Sequence, residues 1–215
     1  MQTSTGFRPI QCGKGLCQLS ASTSDTQSEN AAQFGDAADL IVGEHAKVLQ
    51  GVDAASWERA GALLVDAPAV FTIGTGRSGL ALQMAAMRFM HLGKATHVVG
   101  ETTAPAIGAG DVLIAASGSG STKRVVTAAR TASEQGASVL AVTTDPESDL
   151  AGLATETLLI PAADKQDFEG TRSAQYAGSL FEQSLLILTD ALFHHLWQTS
   201  GSQARDLWRL HANLE

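Results

Sequence analysis

The stretch Val70-Phe71-Thr72-Ile73-Gly74-Thr75-Gly76-Arg77-Ser78-Gly79 is an apolar run that passes straight into a glycine-rich turn opening a helical pattern. Such a turn points backbone N–H groups, with the positive end of a helix dipole behind them, at an anion. A second apolar run, 112–116, leads in the same way into Ser117-Gly118-Ser119-Gly120-Ser121-Thr122 and another helical pattern. Two loops of this sort on one sheet predict a single phosphorylated ligand gripped from two sides. The binding residues expected are Gly76, Arg77, Ser78, Ser117, Gly118, Ser119, Ser121 and Thr122, whose hydroxyls add neutral donors to the backbone amides. Helix capping by Ser and Thr, and tight turns needing glycine, are the plain structural alternatives.

Outward from these loops, short apolar runs alternate with helical patterns. Strands are expected at 70–73, 96–99, 112–116, 138–143 and 157–160, and helices at 36–49, 57–65, 78–92, 121–135, 175–197 and 203–212. This order predicts an α/β fold with right-handed crossovers, a three-layer sandwich whose mostly parallel five-stranded sheet is flanked by helices. The link 100–111 shows no helical pattern, and as a loop at the carboxyl end of a strand it brings Glu101 and Thr102 toward the ligand crevice or a subunit contact.

With 215 residues, 44% of them hydrophobic, the chain fills one core rather than two. Its expected parts are a flexible extension over 1–33, a catalytic domain over 34–200, and a C-terminal helix or tail over 201–215. A formal net charge of −8, with no basic run, argues against a nucleic-acid partner. No apolar stretch approaches the roughly 20 residues of a membrane span. Cys12 and Cys17 are the only cysteines and have no second pair to complete a zinc site, so a reducing cytoplasm is the expected location.

Gly74 to Gly79 also matches the dinucleotide pattern G-x-G-x-x-G, and Glu101, 22 residues beyond Gly79, stands where a ribose-binding acid would sit. The second hydroxyl-rich loop and the shortage of chain for a substrate domain favour a compact phosphate ester instead. A serine nucleophile is disfavoured because no G-x-S-x-G elbow is present. Glu182 stands in the strongly apolar pattern Ser179-Leu180-Phe181-Glu182-Gln183-Ser184-Leu185-Leu186, where burial would raise a carboxyl pKa and suit it to proton transfer, unless an arginine pairs with it. His91 ends a helical pattern as either a dipole-pairing residue or an acid–base group. Arg77 suits a phosphate or a carboxylate, the latter even across a subunit boundary.

Five segments in order, Ile73 to Gly79, Met87-Arg88-Phe89-Met90-His91-Leu92-Gly93, Val98 to Ala106, Ser117 to Thr122 and Gly178-Ser179-Leu180-Phe181-Glu182-Gln183, resemble the sugar isomerase (SIS) domain, and within it the 6-phospho-3-hexuloisomerase branch. The resemblance runs from about residue 36 to 197. It implies a flavodoxin-like topology, interconversion of D-arabino-hex-3-ulose 6-phosphate and D-fructose 6-phosphate in the ribulose monophosphate route of formaldehyde fixation, and an enediol intermediate without metal or organic cofactor. It further implies a homo-oligomer, typically a tetramer, coupled in function to hexulose-6-phosphate synthase. On the family's motif Glu182 is the base, His91 a helper in ring opening or oxygen proton transfer, and the Ser/Thr loops the phosphate clamp. Ser173-Ala174-Gln175-Tyr176-Ala177-Gly178 departs from the Gln-Pro-Met-Gly of many relatives, which makes Tyr176, with Glu101 and Thr102, a candidate sugar contact. Another sugar-phosphate isomerase of the same fold, or a sugar-phosphate sensor module, is the rival reading.

Overall fold

The computed structural model describes residues 23–162 and 172–214. Cys12 and Cys17 lie outside them. The chain divides into two units, Met1–Ala38 and Asp39–Glu215, with the division inside helix α1 (Thr23–Gln50). The helix expected from residue 36 therefore starts at Thr23, and the boundary expected between residues 33 and 34 falls within it. An apolar stripe is what betrays a helix in sequence, and the polar run Thr23-Ser-Asp-Thr-Gln-Ser-Glu-Asn has none, although it contains neither Gly nor Pro to break a helix.

In the second unit, α2 (Ala54–Asp66) is capped by Asp53, whose carboxylate accepts from the Ser56 N–H at 2.8 Å. There follow β1 (Ala69–Ile73), α3 (Gly76–His91), β2 (Ala95–Val98), β3 (Val112–Ala116), α4 (Lys123–Glu134), β4 (Ser138–Thr143), a single 3-10 turn at Ala151–Leu153, β5 (Glu156–Leu159), α5 (Ser179–Ser200) and the short α6 (Ala204–Trp208). The segment 100–111 is without helix, as its sequence predicts. Helix α5 starts at Ser179 rather than 175, because Ala177 takes a left-handed φ of 50° that a continuing helix cannot hold. Helix α6 is shorter than the expected 203–212.

All five strands are parallel, in the order β2-β1-β3-β4-β5. This is the flavodoxin-like order. Each central strand buries both faces, and its residues alternate between two cores. Val70, Val112, Ile114, Leu140 and Val142 meet Leu64 of α2, Leu82 and Phe89 of α3, and Phe181, Leu185 and Leu192 of α5. Phe71, Leu113, Ala115, Val139 and Ala141 meet Val125, Ala129 and Ala132 of α4 on the other face. The result is the three-layer sandwich expected. Among the described residues, no helix is long and apolar enough to cross a membrane.

Candidate active site

The chain leaves β1 for β2 on one side and β3 for β4 on the other, so the order reverses between β1 and β3. In an open α/β sheet the crevice at the carboxyl ends of two such strands is where ligands bind. Ile73 and Ala115 are paired in register, so the loops 74–76 and 117–122 leave the sheet side by side. A Cβ on Gly74 would lie 2.9 Å from the Gly79 amide nitrogen, and one on Gly79 would lie 2.9 Å from the Gly74 carbonyl oxygen. These two glycines let the turn press against the first turn of α3. Gly120 has φ of +61°, and a Cβ there would meet the Ser148 side chain, so both conformation and space demand glycine.

The N-cap residues of α3 and α4, Thr75 and Thr122, make no side-chain capping bond, and neither helix has an acidic residue in its first turn. Their leading N–H groups are thus disposed toward an external anion. The hydroxyls are placed less simply than the sequence suggests. Ser117 is buried and its Oγ shares a 2.8 Å hydrogen bond with Thr122 Oγ1, which ties the loop's two ends together. Ser78 is also buried, at 3% exposure, so it serves the crevice through the helix end that it helps form more than through an outward hydroxyl. Ser119 and Ser121 are exposed, the Ser121 hydroxyl donating to Ser119 Oγ at 3.0 Å. The Gly118 carbonyl accepts from the hydroxyls of Thr143 and Thr144 at 3.1 and 2.8 Å, which anchors the loop to the end of β4.

Helix α5 brings Glu182 to the same end. Phe181 is buried, and a Cβ on Gly118 would lie 3.5 Å from its ring, so the first turn of α5 sits against the serine loop. Glu182 Oε2 is 2.7 Å from Arg77 Nε, its side chain 11% exposed and that of Arg77 61%. Of the alternatives left open for Glu182, the structure has an arginine pairing with it, supplied by α3 of the same chain. A groove of about 210 Å³ adjoins the pair, lined by Leu80, Ala81 and Met84 of α3 and Gln183 and Leu186 of α5.

The other candidates lie elsewhere in the single chain. His91 is at the far end of α3, about 21 Å from Arg77 at 1.5 Å per residue. Its ring is buried and stacks on His211 at 4.0 Å between centroids, and its Nδ1 has no hydrogen-bond partner. Burial, then the proximity of His211 and Arg88, holds this imidazole below the usual histidine range. Glu101 lines a separate cavity of about 330 Å³ under the 100–111 segment, with Pro105, Ile107 and residues of α4. Thr102 is exposed, and Tyr176 is 89% exposed on the segment before α5.

Arg124 Nη2 donates to the Val99 carbonyl at 3.3 Å. Two polar residues of α1 escaped the sequence reading. Glu44 accepts from the Ser173 hydroxyl at 2.7 Å, the Ala174 N–H at 2.8 Å and the Gln175 amide at 3.0 Å. His45 is buried, with Nδ1 2.9 Å from Ser184 Oγ and Nε2 2.8 Å from Gln183 Oε1. One signal for His45 was available: it stands four residues after Ile41 and three before Val48, on the face of α1 that turns inward.

A 3-hexulose-6-phosphate isomerase of Mycobacterium gastri is 56% identical over 146 residues, covering 68% of this chain and 73% of its own. Its Bacillus subtilis counterpart is 40% identical over 147 residues, covering 68% and 80%. A Methanococcus jannaschii crystal structure, described as inferring a molecular function of 3-hexulose-6-phosphate isomerase, superposes with a TM-score of 0.71 at 25% identity, over 84% of this chain and 99% of that one. The SIS domain model matches residues 63–187, a span that holds both anion loops and Glu182, and the chain belongs to the SIS domain family.

Proposed function

We propose that this chain interconverts D-arabino-hex-3-ulose 6-phosphate and D-fructose 6-phosphate. The observation that carries the reading is the Arg77–Glu182 pair, 2.7 Å apart, set beside two uncapped helix ends at the β1/β3 crevice. The phosphate binds at the ends of α3 and α4, with Gly76, Gly118, Ser119 and Ser121 around it, while Ser78, Ser117 and Thr122 shape the loops. Glu182 takes the proton from C3 of the 2-ketose and returns it to C2, while a proton moves from O3 to O2. Carbon–hydrogen and oxygen–hydrogen bonds are exchanged one for one, so the chemistry is redox-neutral overall. Arg77 orients the carboxylate and places positive charge beside the enediolate as it forms.

The two family-motif residues Glu182 and His91 cannot meet within one chain, and a second copy resolves the separation. Arg77, Leu80, Met84, Met87 and His91 follow one another at intervals of three and four along α3, a single stripe. Leu80, Met84 and Met87 are each about half exposed on it. An antiparallel copy packed on this stripe would bury that apolar surface and bring its own His91 end, with His211 stacked there, to the Arg77–Glu182 end. The assembly is thus read as a homo-oligomer with shared sites, tetrameric as in the family the sequence resembles. A cytoplasmic location and supply of the 3-ulose by hexulose-6-phosphate synthase complete the proposal.

The test is to incubate the purified protein with fructose 6-phosphate and follow the carbon spectrum by NMR. A 3-ulose carbonyl is expected. An aldose product would assign the chain to the 1,2-isomerases of the same fold, and binding without turnover would make it a sensor.

A further inference from the structure

We infer that Glu44 and His45 of α1 are positioning residues for Glu182, holding residues on both sides of it. This rests on the proposed role of Glu182 as base. The Glu44 carboxylate accepts three bonds from consecutive residues Ser173, Ala174 and Gln175, which lead into α5, and the Gln175 N–H closes the turn onto Ser173 Oγ at 3.0 Å. His45 engages Gln183 and Ser184, the two residues after Glu182. Both clamps come from adjacent positions on one helix, so α1 fixes the chain from 173 to 184 with Glu182 near its downstream end.

The segment between the clamps needs such restraint. Ala177 holds φ of 50°, a left-handed conformation unfavourable for a residue with a side chain, and Gly178 gives α5 no side-chain cap. The Glu182 N–H donates to the Gly178 carbonyl at 3.1 Å, so a shift at Ala177 passes directly to the turn that carries the carboxylate. The three hydrogen bonds to Glu44, and Lys47 nearby, outweigh the opposing effect of burial and hold its carboxyl below the ordinary glutamate range, which keeps this clamp charged at neutral pH. On the other side, His45 is a buried ring with both nitrogens engaged, and loss of its Nε2 contact frees the Gln183 amide that lines the groove beside Glu182.

Neither residue lines the groove beside the Arg77–Glu182 pair, so the expected signature is a change in turnover and not in binding. Glu44→Ala and His45→Leu should each lower kcat by roughly tenfold or more with KM within about threefold, since a misplacement on the order of 1 Å is enough for such losses. Glu44→Gln and His45→Gln, which can still accept or exchange hydrogen bonds, should recover much of it. Unchanged kcat in the folded Ala and Leu variants, with only Tm lowered, would make both residues structural and overturn the inference. If His45→Leu fails to fold, the Glu44 pair decides the matter in the same way. A wild-type protein that forms no 3-ulose would instead overturn the reading of Glu182, and the positioning role with it.

Discussion

The two ends of helix α3 are built from different kinds of contact and are chemically opposite. At the first, an exposed Arg77 pairs with the nearly buried carboxylate of Glu182, beside loops shaped to receive an anion. At the last, His91 is sealed under His211 with Trp208 beyond it at 4.5 Å, a ring nitrogen unsatisfied and protonation disfavoured. In the proposed mechanism the first end binds and deprotonates, while at the second burial disfavours protonation of the imidazole. What separates them is the length of one helix, and in the proposed assembly a symmetric second copy laid along the stripe Leu80, Met84 and Met87 joins them.

The strongest way to break this comparison is to remove the carboxylate. Glu182→Gln keeps the shape of the first end and should cut kcat by about 10²–10⁴-fold, with sugar-phosphate affinity within a few-fold by calorimetry. Retained turnover would take Glu182 out of the base role.

A mixing experiment sharpens the relation between the ends. Glu182→Gln and His91→Asn proteins, each nearly inactive, are unfolded together and refolded as hybrids. If each site takes Glu182 from one copy and His91 from another, random mixing restores up to roughly one quarter of wild-type activity. Activity no higher than the sum of the parents would mean that His91 serves its own chain as a structural residue.

The smallest expected effect is on pH-dependent stability. His91 is harder to protonate in the folded chain than in the unfolded one, so the unfolded chain binds more protons and stability falls as the pH drops below about 6.5. Glu44, Asp53 and Glu156 are shifted downward, mainly through the hydrogen bonds they accept, and their contributions are lost only below about 4.5. Tm measured between about pH 7.5 and 5.5 should therefore fall in the wild type and fall less in His91→Gln. Equal slopes would place the titrating group elsewhere.

Much of this was legible in the sequence because the relevant signals are local. The β1 and β3 runs buried on both faces, the glycines forced by close backbone approach at Gly74 and Gly79, and the pattern of α3 all follow from nearest-neighbour rules. The strand order was legible only through the resemblance to the SIS domain, and the crevice follows from that order. Contacts between residues far apart in the chain were not legible. The Arg77 partner of Glu182 comes from a helix more than a hundred positions earlier, and the Glu44 and His45 clamps reach about as far. The early start of α1 was hidden for a different reason, since a polar helix shows no apolar period. Ser78 and Ser117 were read as outward hydroxyls because a sequence does not tell which side of a tight loop faces the core.

The most direct test of the central claim follows deuterium from solvent during turnover of fructose 6-phosphate by the wild-type protein. Chemistry across C2 and C3 predicts deuterium at C3 of recovered fructose 6-phosphate and at C2 of the 3-ulose, with both signals abolished in Glu182→Gln. Deuterium at C1 in place of C3 would contradict the account, because it would place the proton transfer, and so the reaction, on the other side of the carbonyl.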